Sequence, residues 1–206
     1  EINNVLNDTV GNFVNRTLAL TEKWFDNEIP IGDLQYEDEK TIEKAEKIVE
    51  EYYDAFEEKD LRKGVEKAVE LARLGDRYLS EEEPWNNEDR REAVLQVAVQ
   101  IVRGVGVLLY PYTPDASQKI EKMLNVDIHT EEGYDELTDP LLGGVSGGEE
   151  LGEREVLFEK IDVEDRSEKE DEEEQDGIEN VKKFNQDTVS FESFGDNDIR
   201  VGKVVF

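Results

Sequence analysis

Two polar side chains near the start of the chain have the types and the spacing for reading a nucleotide base. Asn12 and Arg16 are four residues apart in VGNFVNRTLAL, which places them one turn apart on one face of a helix. A planar guanidinium and a side-chain amide can both hydrogen-bond an unpaired base, and the guanidinium can also stack on it. The pair therefore indicates RNA recognition, although the same spacing is also typical of a solvated helix surface.

A tryptophan in a polar turn is a third candidate. Trp85 follows a proline in SEEEPWNN, where an exposed indole can be a stacking platform for a base. Alternatively, the indole of Trp85 has no ligand and closes the end of a helix pair. Trp24, in contrast, falls in the apolar register of the first predicted helix and is expected in the core. The candidate RNA-binding residues are therefore Asn12, Arg16 and Trp85. Asn15 is a weaker candidate, because it points about 100° around the helix from Arg16.

The sequence shows no recognisable catalytic arrangement. It has no cysteine and one histidine, His129, which excludes a disulfide, a thiolate metal site and a cluster of histidine ligands. One histidine without cysteine does not supply a nucleophile, a base and an orienting group together, and no glycine-rich loop of the GxxxxGK type is present. We therefore predict no catalytic residue, no cofactor site and no metal site in this segment.

The charge limits the kind of partner. The 24 basic and 54 acidic residues give a net charge of −30, which excludes a nonspecific clamp for polyanions. Two interpretations of the acidity remain open. One is a disordered acidic tail, densest at 168–177, and the other is a halophilic surface, adapted to salt at which the Debye length falls to about 3 Å. The halophilic interpretation is favoured, because acidic residues also crowd the predicted helices.

Apolar residues recur at intervals of three and four through the first part of the chain, which predicts a bundle of five helices. The expected helices cover residues 2–25, 41–56, 61–80, about 89–109 and about 115–125. Asp60 is the expected N-cap of the third, and the fourth should be the most buried. No apolar run approaches the roughly 20 residues that span a bilayer, and the N-terminal residues lack the features of a signal peptide. We therefore expect a cytoplasmic, all-α antiparallel bundle over 1–130, without a membrane partner.

The composition changes after this region. Residues 131–187 are rich in turn residues and then in acidic ones, which predicts a linker with a short strand near 155–161. Alternating apolar residues on either side of GDND predict strands over 188–206, the truncated start of a β domain. Glu1 already lies in a helical pattern and is not a methionine, so we expect an excised segment of a longer protein.

Three motifs in order resemble the C-terminal part of methionyl-tRNA synthetases, a family of class I aminoacyl-tRNA synthetases. They are VGNFVNRTLALTEKWFD, DLRKGVEKAVELARLGDRYLSEEEPW and VLLYPYTPDASQKIEKMLN, spread over about residues 1–130. FGDNDIRVGKVVF resembles the opening of the oligonucleotide-binding-fold tRNA-binding module that many of these enzymes carry. The resemblance implies a helical anticodon-binding domain. It also implies that Asn12 and Arg16 contact the first anticodon base and that Trp85 stacks on bases of the CAU triplet.

The resemblance further implies the activity of a parent enzyme, a methionine–tRNA ligase that attaches methionine to its tRNA using ATP. The family's ATP, methionine and zinc sites precede this segment, so the segment alone is expected to be non-catalytic. The implied partner is methionine tRNA with its CAU anticodon, and not DNA. The terminal module often dimerises in this family, which allows a homodimer of the full-length enzyme.

Two alternatives stay open at this point. One is a freestanding tRNA-binding module without a catalytic half, and the other is the anticodon domain of another class I synthetase, such as those for cysteine, isoleucine or valine. The strong acidity departs from the family pattern and argues against broad phosphate contacts.

Overall fold

The computed structural model describes residues 3–126 and 147–158, with side chains from residue 6 onward in these ranges. The elements are a helix in π form, Asn3–Gly11 (the π segment), followed by α1 (Asn12–Phe25), α2 (Tyr36–Glu57), α3 (Leu61–Glu82), α4 (Arg91–Leu109) and α5 (Pro114–Leu124), with a 3₁₀ turn, Glu88–Arg90, before α4. The all-α fold and its five helices are confirmed, and no strand occurs in the described ranges. The rest of the predicted linker and the β segment 188–206 lie outside the described residues and stay predictions.

The first helix begins in π geometry and continues in α geometry. The π segment has the wider i→i+5 hydrogen-bonding pattern, and α1 continues from it in α geometry. Gly11, at the junction, has helical backbone angles, with φ −60° and ψ −42°. The helix ends at Asp26, whose φ of 51° is left-handed. The helix predicted over 2–25 is therefore present from residue 3, but the spacing of apolar residues did not reveal its π section.

A short connection joins α2 to α3. Only residues 58–60 separate the two helices, so they run antiparallel as a helical hairpin. Asp60 caps α3 as predicted, because its side chain accepts a hydrogen bond of 2.9 Å from the backbone N–H of Lys63. The hairpin fixes the position of α3, which contributes residues to the candidate site.

The central helix of the bundle is α4. Sixteen of its nineteen residues are buried, as the sequence predicted, and it packs against α1, α2, α3 and α5. Residues Glu88–Leu109 are nevertheless long and apolar enough to cross a membrane by length and composition, so the expectation that no apolar run approaches this length was wrong. In this structure 89% of the apolar window lies buried inside the bundle, which is the pattern of a core helix.

Residues 147–158, which we call the return segment, pack back onto the helices. The backbone N–H of Gly152 donates a 2.9 Å hydrogen bond to the carbonyl of Met123 in α5. Leu151 and Leu157 are buried in the same core as the helices. These contacts add the return segment to the bundle, within the range that the composition predicts as a linker.

The strand predicted near 155–161 is absent over 155–158, the part of it that the structure describes. The backbone there lies against helices, which offer no row of unpaired backbone donors and acceptors for a strand ladder. The carbonyl of Val156 instead accepts a 2.8 Å hydrogen bond from Nζ of Lys119. Over residues 155–158 the apolar spacing therefore reflects burial of Leu157 against the bundle and not strand pairing.

Gly75 allows α1 and α3 to approach closely beside the candidate site. A Cβ atom on Gly75 would lie 2.2 Å from Cζ of Phe13, whose ring is fully buried. We expect Gly75→Ala to lower the free energy of unfolding by about 1–3 kcal/mol, because overpacking outweighs the gain of roughly 1 kcal/mol in helix propensity. Urea denaturation followed by circular dichroism measures this change.

Arg73→Ala is the matched control for Gly75→Ala. Arg73 is exposed and lies in the same helix, so its replacement should change stability by no more than about 0.5 kcal/mol. A Gly75→Ala variant as stable as the parent chain would show that α1 and α3 are not held at this close distance.

Candidate RNA-binding site

The structure brings Arg16 and Trp85 into contact, although they are far apart in the sequence. The Cζ atom of Arg16 lies 5.4 Å from the centroid of the Trp85 ring, within the range of a cation–π interaction. The Arg16 side chain is 37% exposed and Trp85 is 38% exposed. A solvent-borne aromatic ligand can therefore reach both groups.

Two side chains of α3 hold the Arg16 guanidinium in place. Its Nη1 atom donates to Oδ1 of Asp76 at 2.6 Å and to Oγ of Ser80 at 3.5 Å. The Ser80 hydroxyl donates to the Asp76 carbonyl at 2.9 Å, which fixes its position. Among the described residues, no hydrogen bond occupies Nε or Nη2 of Arg16. The ion pair therefore orients the guanidinium while two of its nitrogen atoms remain available to a ligand.

Trp85 stands on a turn between α3 and the 3₁₀ turn. Glu83, with a φ of 43°, ends α3, and its carbonyl accepts a 2.8 Å hydrogen bond from the Asn86 N–H. Pro84 is buried, and its carbonyl accepts a 2.9 Å hydrogen bond from Nε of Arg91. The turn is thus tied to α4 and holds the indole at the surface.

The same arginine ties this turn to the first helix. Cζ of Arg91 lies 4.3 Å from the centroid of the Trp24 ring. Trp24 is partly buried and packs against the core, as its position in the apolar register predicted. Arg91 therefore links α1, which carries Arg16, to the turn that carries Trp85.

A buried polar network lies beneath this turn, and sequence reasoning missed it. Arg90 donates to Oδ2 of Asp38 at 2.9 Å and to Oε2 of Glu82 at 2.9 Å, and the Tyr78 hydroxyl also donates to Asp38. Asp38 is fully buried and Arg90 is 7% exposed. The network joins the start of α2 to the end of α3 and the start of α4. The one signal in the sequence was the N3 position of Asp38, whose carboxylate closes a capping box with Gln35.

The ionisation of this network follows from its contacts. Burial raises the pKa of Asp38, but hydrogen bonds from Arg90, Tyr78 and the Gln35 backbone outweigh burial and leave the pKa below its ordinary value. Burial and the bond to Asp38 raise the pKa of Tyr78, and the bond to Asp38 raises that of Arg90. The carboxylate is therefore charged, and the phenol and guanidinium are protonated, around neutral pH.

Asn12 lies one turn before Arg16 on the exposed side of α1. Its Nδ2 atom donates to the Asp8 carbonyl at 2.9 Å, and its Oδ1 atom is the acceptor of this exposed side chain. Arg16 and Trp85 are thus in contact, and Asn12 extends the same surface by one helical turn. That these residues bind a base stays a prediction.

No other chemistry is evident in the part of the chain that the structure describes. Within residues 3–126 and 147–158, no group of three or more His, Cys, Asp or Glu side chains is arranged to hold a metal ion. His129 lies outside the described residues. The donor set for a zinc site is therefore not found among these residues.

Residues 29–176 match the family described as the anticodon binding domain of methionyl tRNA ligase. The methionine–tRNA ligase of Phocaeicola vulgatus is 35% identical to the chain over 226 residues, and that of Christiangramia forsetii is 32% identical over 223. Both alignments cover 98% of this chain and 31% of the relative. The chain thus spans about a third of the length of these curated relatives.

Solved structures are similar to the chain in fold. A Mycobacterium tuberculosis methionyl-tRNA synthetase in complex with methionyl-adenylate has a TM-score of 0.69 at 20% identity, over 77% of this chain and 32% of that one. The free form of the M. tuberculosis enzyme has a TM-score of 0.67 at 19% identity, over 78% of this chain and 34% of that one. At this level of identity the likeness concerns the fold.

Proposed function

This chain belongs to the family of anticodon-binding domains of methionyl-tRNA ligase, and from that premise we propose that it reads the CAU anticodon of methionine tRNA. The observation that carries the proposal is the contact between the Arg16 guanidinium and the Trp85 indole at the surface. Family membership argues against the synthetases for cysteine, isoleucine and valine.

The first anticodon base, cytosine, has an edge that suits these side chains. Nε and Nη2 of Arg16 can donate to its N3 and O2 atoms, and Oδ1 of Asn12 can accept from its amino group. The indole of Trp85 offers a face on which an unpaired base stacks. Stacking contributes about 1–3 kcal/mol per base, and a two-point polar contact contributes a similar amount. Contacts from Asn12, Arg16 and Trp85 are therefore enough to select an RNA loop that displays CAU over loops that display other triplets.

The proposed parent protein is a cytoplasmic methionine–tRNA ligase that uses ATP. The described residues contain no group of side chains that could hold a zinc ion, so no step of the reaction is derived from them, and we place the zinc and ATP sites upstream in the full-length enzyme. In this scheme the bundle checks the anticodon while the absent catalytic part attaches methionine to the tRNA. A homodimer through the C-terminal module belongs to the same proposal.

Binding of small RNA hairpins tests the proposed recognition directly. We expect the 206-residue chain to bind a hairpin that displays CAU in its loop at least about tenfold more tightly than one whose loop displays a scrambled triplet. A DNA hairpin of the same sequence should bind more weakly. Fluorescence anisotropy with labelled hairpins gives the dissociation constants.

The salt dependence of the same binding provides a control on its chemistry. A chain with a net charge of −30 makes few phosphate contacts, so the plot of log affinity against log salt should have a slope of magnitude below about 2. Equal affinity for CAU and scrambled loops, or a steep slope for both, would contradict anticodon recognition.

A further inference from the structure

A second cleft adjoins the candidate site on the other side of Asn12. It has a volume of about 160 Å³ and lies between the first helix and the return segment. Three asparagines line the helix side, Asn7, Asn12 and Asn15, and residues 155–158 form the opposite wall. Asparagine amides and carboxylates are among the side chains that read base edges in nucleic acids.

The π segment explains why these amides share one face. In a π-helix the backbone bonds join residues five apart, so Asn7 lies one π turn before Asn12, and Asn15 follows within one α turn. In an α-helix, residues five apart would point in different directions. A Cβ on Gly11 would lie 3.3 Å from Oδ1 of Asn7 and 3.6 Å from Cδ2 of Phe158, so a side chain at this position would contact two side chains that line the cleft.

Arg154 fixes the orientation of the Asn15 amide. Its Nη1 atom donates to Oδ1 of Asn15 at 2.9 Å, and its Nη2 atom pairs with Glu22 at 3.2 Å. Because Oδ1 is engaged in this way, Asn15 presents its Nδ2 group as a donor. On the facing wall, the exposed Glu155 presents a carboxylate, which only accepts hydrogen bonds when it is ionised.

The wall that carries Glu155 is held to the bundle at several points. Leu157 is buried, the Glu155 N–H donates to Sδ of Met123 at 3.2 Å, and the Val156 carbonyl accepts from Lys119 at 2.8 Å. The Val156 side chain is 68% exposed beside the cleft and supplies an apolar surface. The two walls therefore present one donor, one acceptor and an apolar contact.

We propose that this cleft binds the base of a second unpaired nucleotide of the same RNA, adenine or cytosine, with Asn15 as a specificity-determining donor positioned by Arg154. Adenine and cytosine both carry an amino group next to a ring nitrogen acceptor. Glu155 accepts from the amino group and Asn15 donates to the ring nitrogen. With the base held in this same orientation by the loop, guanine and uracil place a ring N–H against the Asn15 donor and a carbonyl oxygen against the Glu155 acceptor, so both contacts are lost.

The location supports a nucleotide as the occupant. Asn12 lines the cleft and also belongs to the surface with Arg16 and Trp85, so consecutive nucleotides of one loop can reach both. The inference rests on the proposed function, because it takes an unpaired RNA loop as the ligand.

The test uses the 206-residue chain, the CAU hairpin and a panel in which each loop nucleotide is replaced in turn by the other three bases. Asn15→Ala should weaken binding about tenfold and abolish the preference for adenine or cytosine over guanine or uracil at one loop position. Arg16→Ala should affect a different loop position.

Arg154 is tested as a positioning residue. Arg154→Gln should weaken binding about threefold to tenfold and reduce the same base preference, and the double variant should be no weaker than Asn15→Ala alone. Glu153→Gln is the matched control, because Glu153 is an exposed neighbour that does not line this cleft, and it should bind within about twofold of the parent chain.

The outcomes separate this inference from the proposed function. If Arg16→Ala weakens binding while Asn15→Ala and Arg154→Gln leave affinity and base preference unchanged, the cleft is not a nucleotide site and anticodon recognition stands. If the parent chain does not distinguish CAU from scrambled loops, both proposals are overturned.

Discussion

Alanine at Arg16 or Trp85 is expected to slow the charging of methionine tRNA by the full-length ligase about tenfold to a hundredfold. Each substitution removes one of the proposed base contacts, which contribute about 1–3 kcal/mol each, and 1.4 kcal/mol corresponds to a factor of ten. The loss should appear in kcat/KM for tRNA. Formation of methionyl-adenylate from methionine and ATP should be unchanged, because the proposed function assigns this step to another part of the full-length protein.

Conservative variants separate the roles of the two side chains. Trp85→Phe keeps an aromatic face and should retain most of the charging rate, whereas Arg16→Lys keeps the charge and loses the planar fork of donors, so it should behave almost like Arg16→Ala. ATP–pyrophosphate exchange measures the activation step and aminoacylation measures the whole reaction. An equal loss in both assays would indicate a folding defect and would contradict a role in recognition.

The strong acidity favours a mode of RNA binding in which few residues contribute most of the energy. In a chain with a net charge of −30, the field repels the RNA backbone, and Arg16 itself is paired with Asp76. Stacking on Trp85 and directional hydrogen bonds depend little on salt, unlike attraction to phosphates. Loss of one such contact is therefore expected to have a larger effect here than loss of one phosphate contact among many.

The periodicity of apolar residues predicted the helices because nearly all of the bundle's burial follows helical repeats. Asn12 and Arg16 could be paired from their spacing alone, since one helix places them. The position of Trp85 beside Arg16 could not be derived from spacing, because it depends on how closely α1 packs against α3. The small volume of Gly75 sets the distance between α1 and α3, and the spacing of apolar residues in the sequence does not indicate this distance.

Two features could not be predicted from the sequence, for different physical reasons. The return segment has only two buried leucines, Leu151 and Leu157, within a stretch rich in turn residues, so its apolar content is too low to indicate packing. The burial of Asp38 depends on Arg90, which follows it by 52 residues, after the rest of α2 and the whole of α3. In the sequence Asp38 is one of several acids in the first turn of α2, where exposed carboxylates are typical.

Asp38→Ala is expected to lower the free energy of unfolding by about 3–5 kcal/mol at neutral pH, the usual cost of removing one partner of a buried ion pair. The variant leaves the buried Arg90 with Glu82 as its remaining carboxylate and leaves the Tyr78 hydroxyl without its acceptor. Because both groups lie beneath the turn that carries Trp85, the variant should also weaken binding of the CAU hairpin. Urea denaturation gives the change in stability.

The pH dependence of this effect distinguishes the ion pair from lost packing. The pKa of Asp38 is below its ordinary value in the folded chain, so its stabilising contribution is complete above about pH 4 and is lost as the pH falls through the folded pKa. The stability of the parent chain and of Asp38→Ala should therefore converge on acidification.

Glu39→Ala, at an exposed neighbour in the same turn, should change stability by no more than about 0.5 kcal/mol at any pH. A gap between the parent chain and Asp38→Ala that stays constant down to the lowest pH at which both remain folded would show that the carboxylate charge does not stabilise the turn, and the support for Trp85 would then have to come from Arg91 alone.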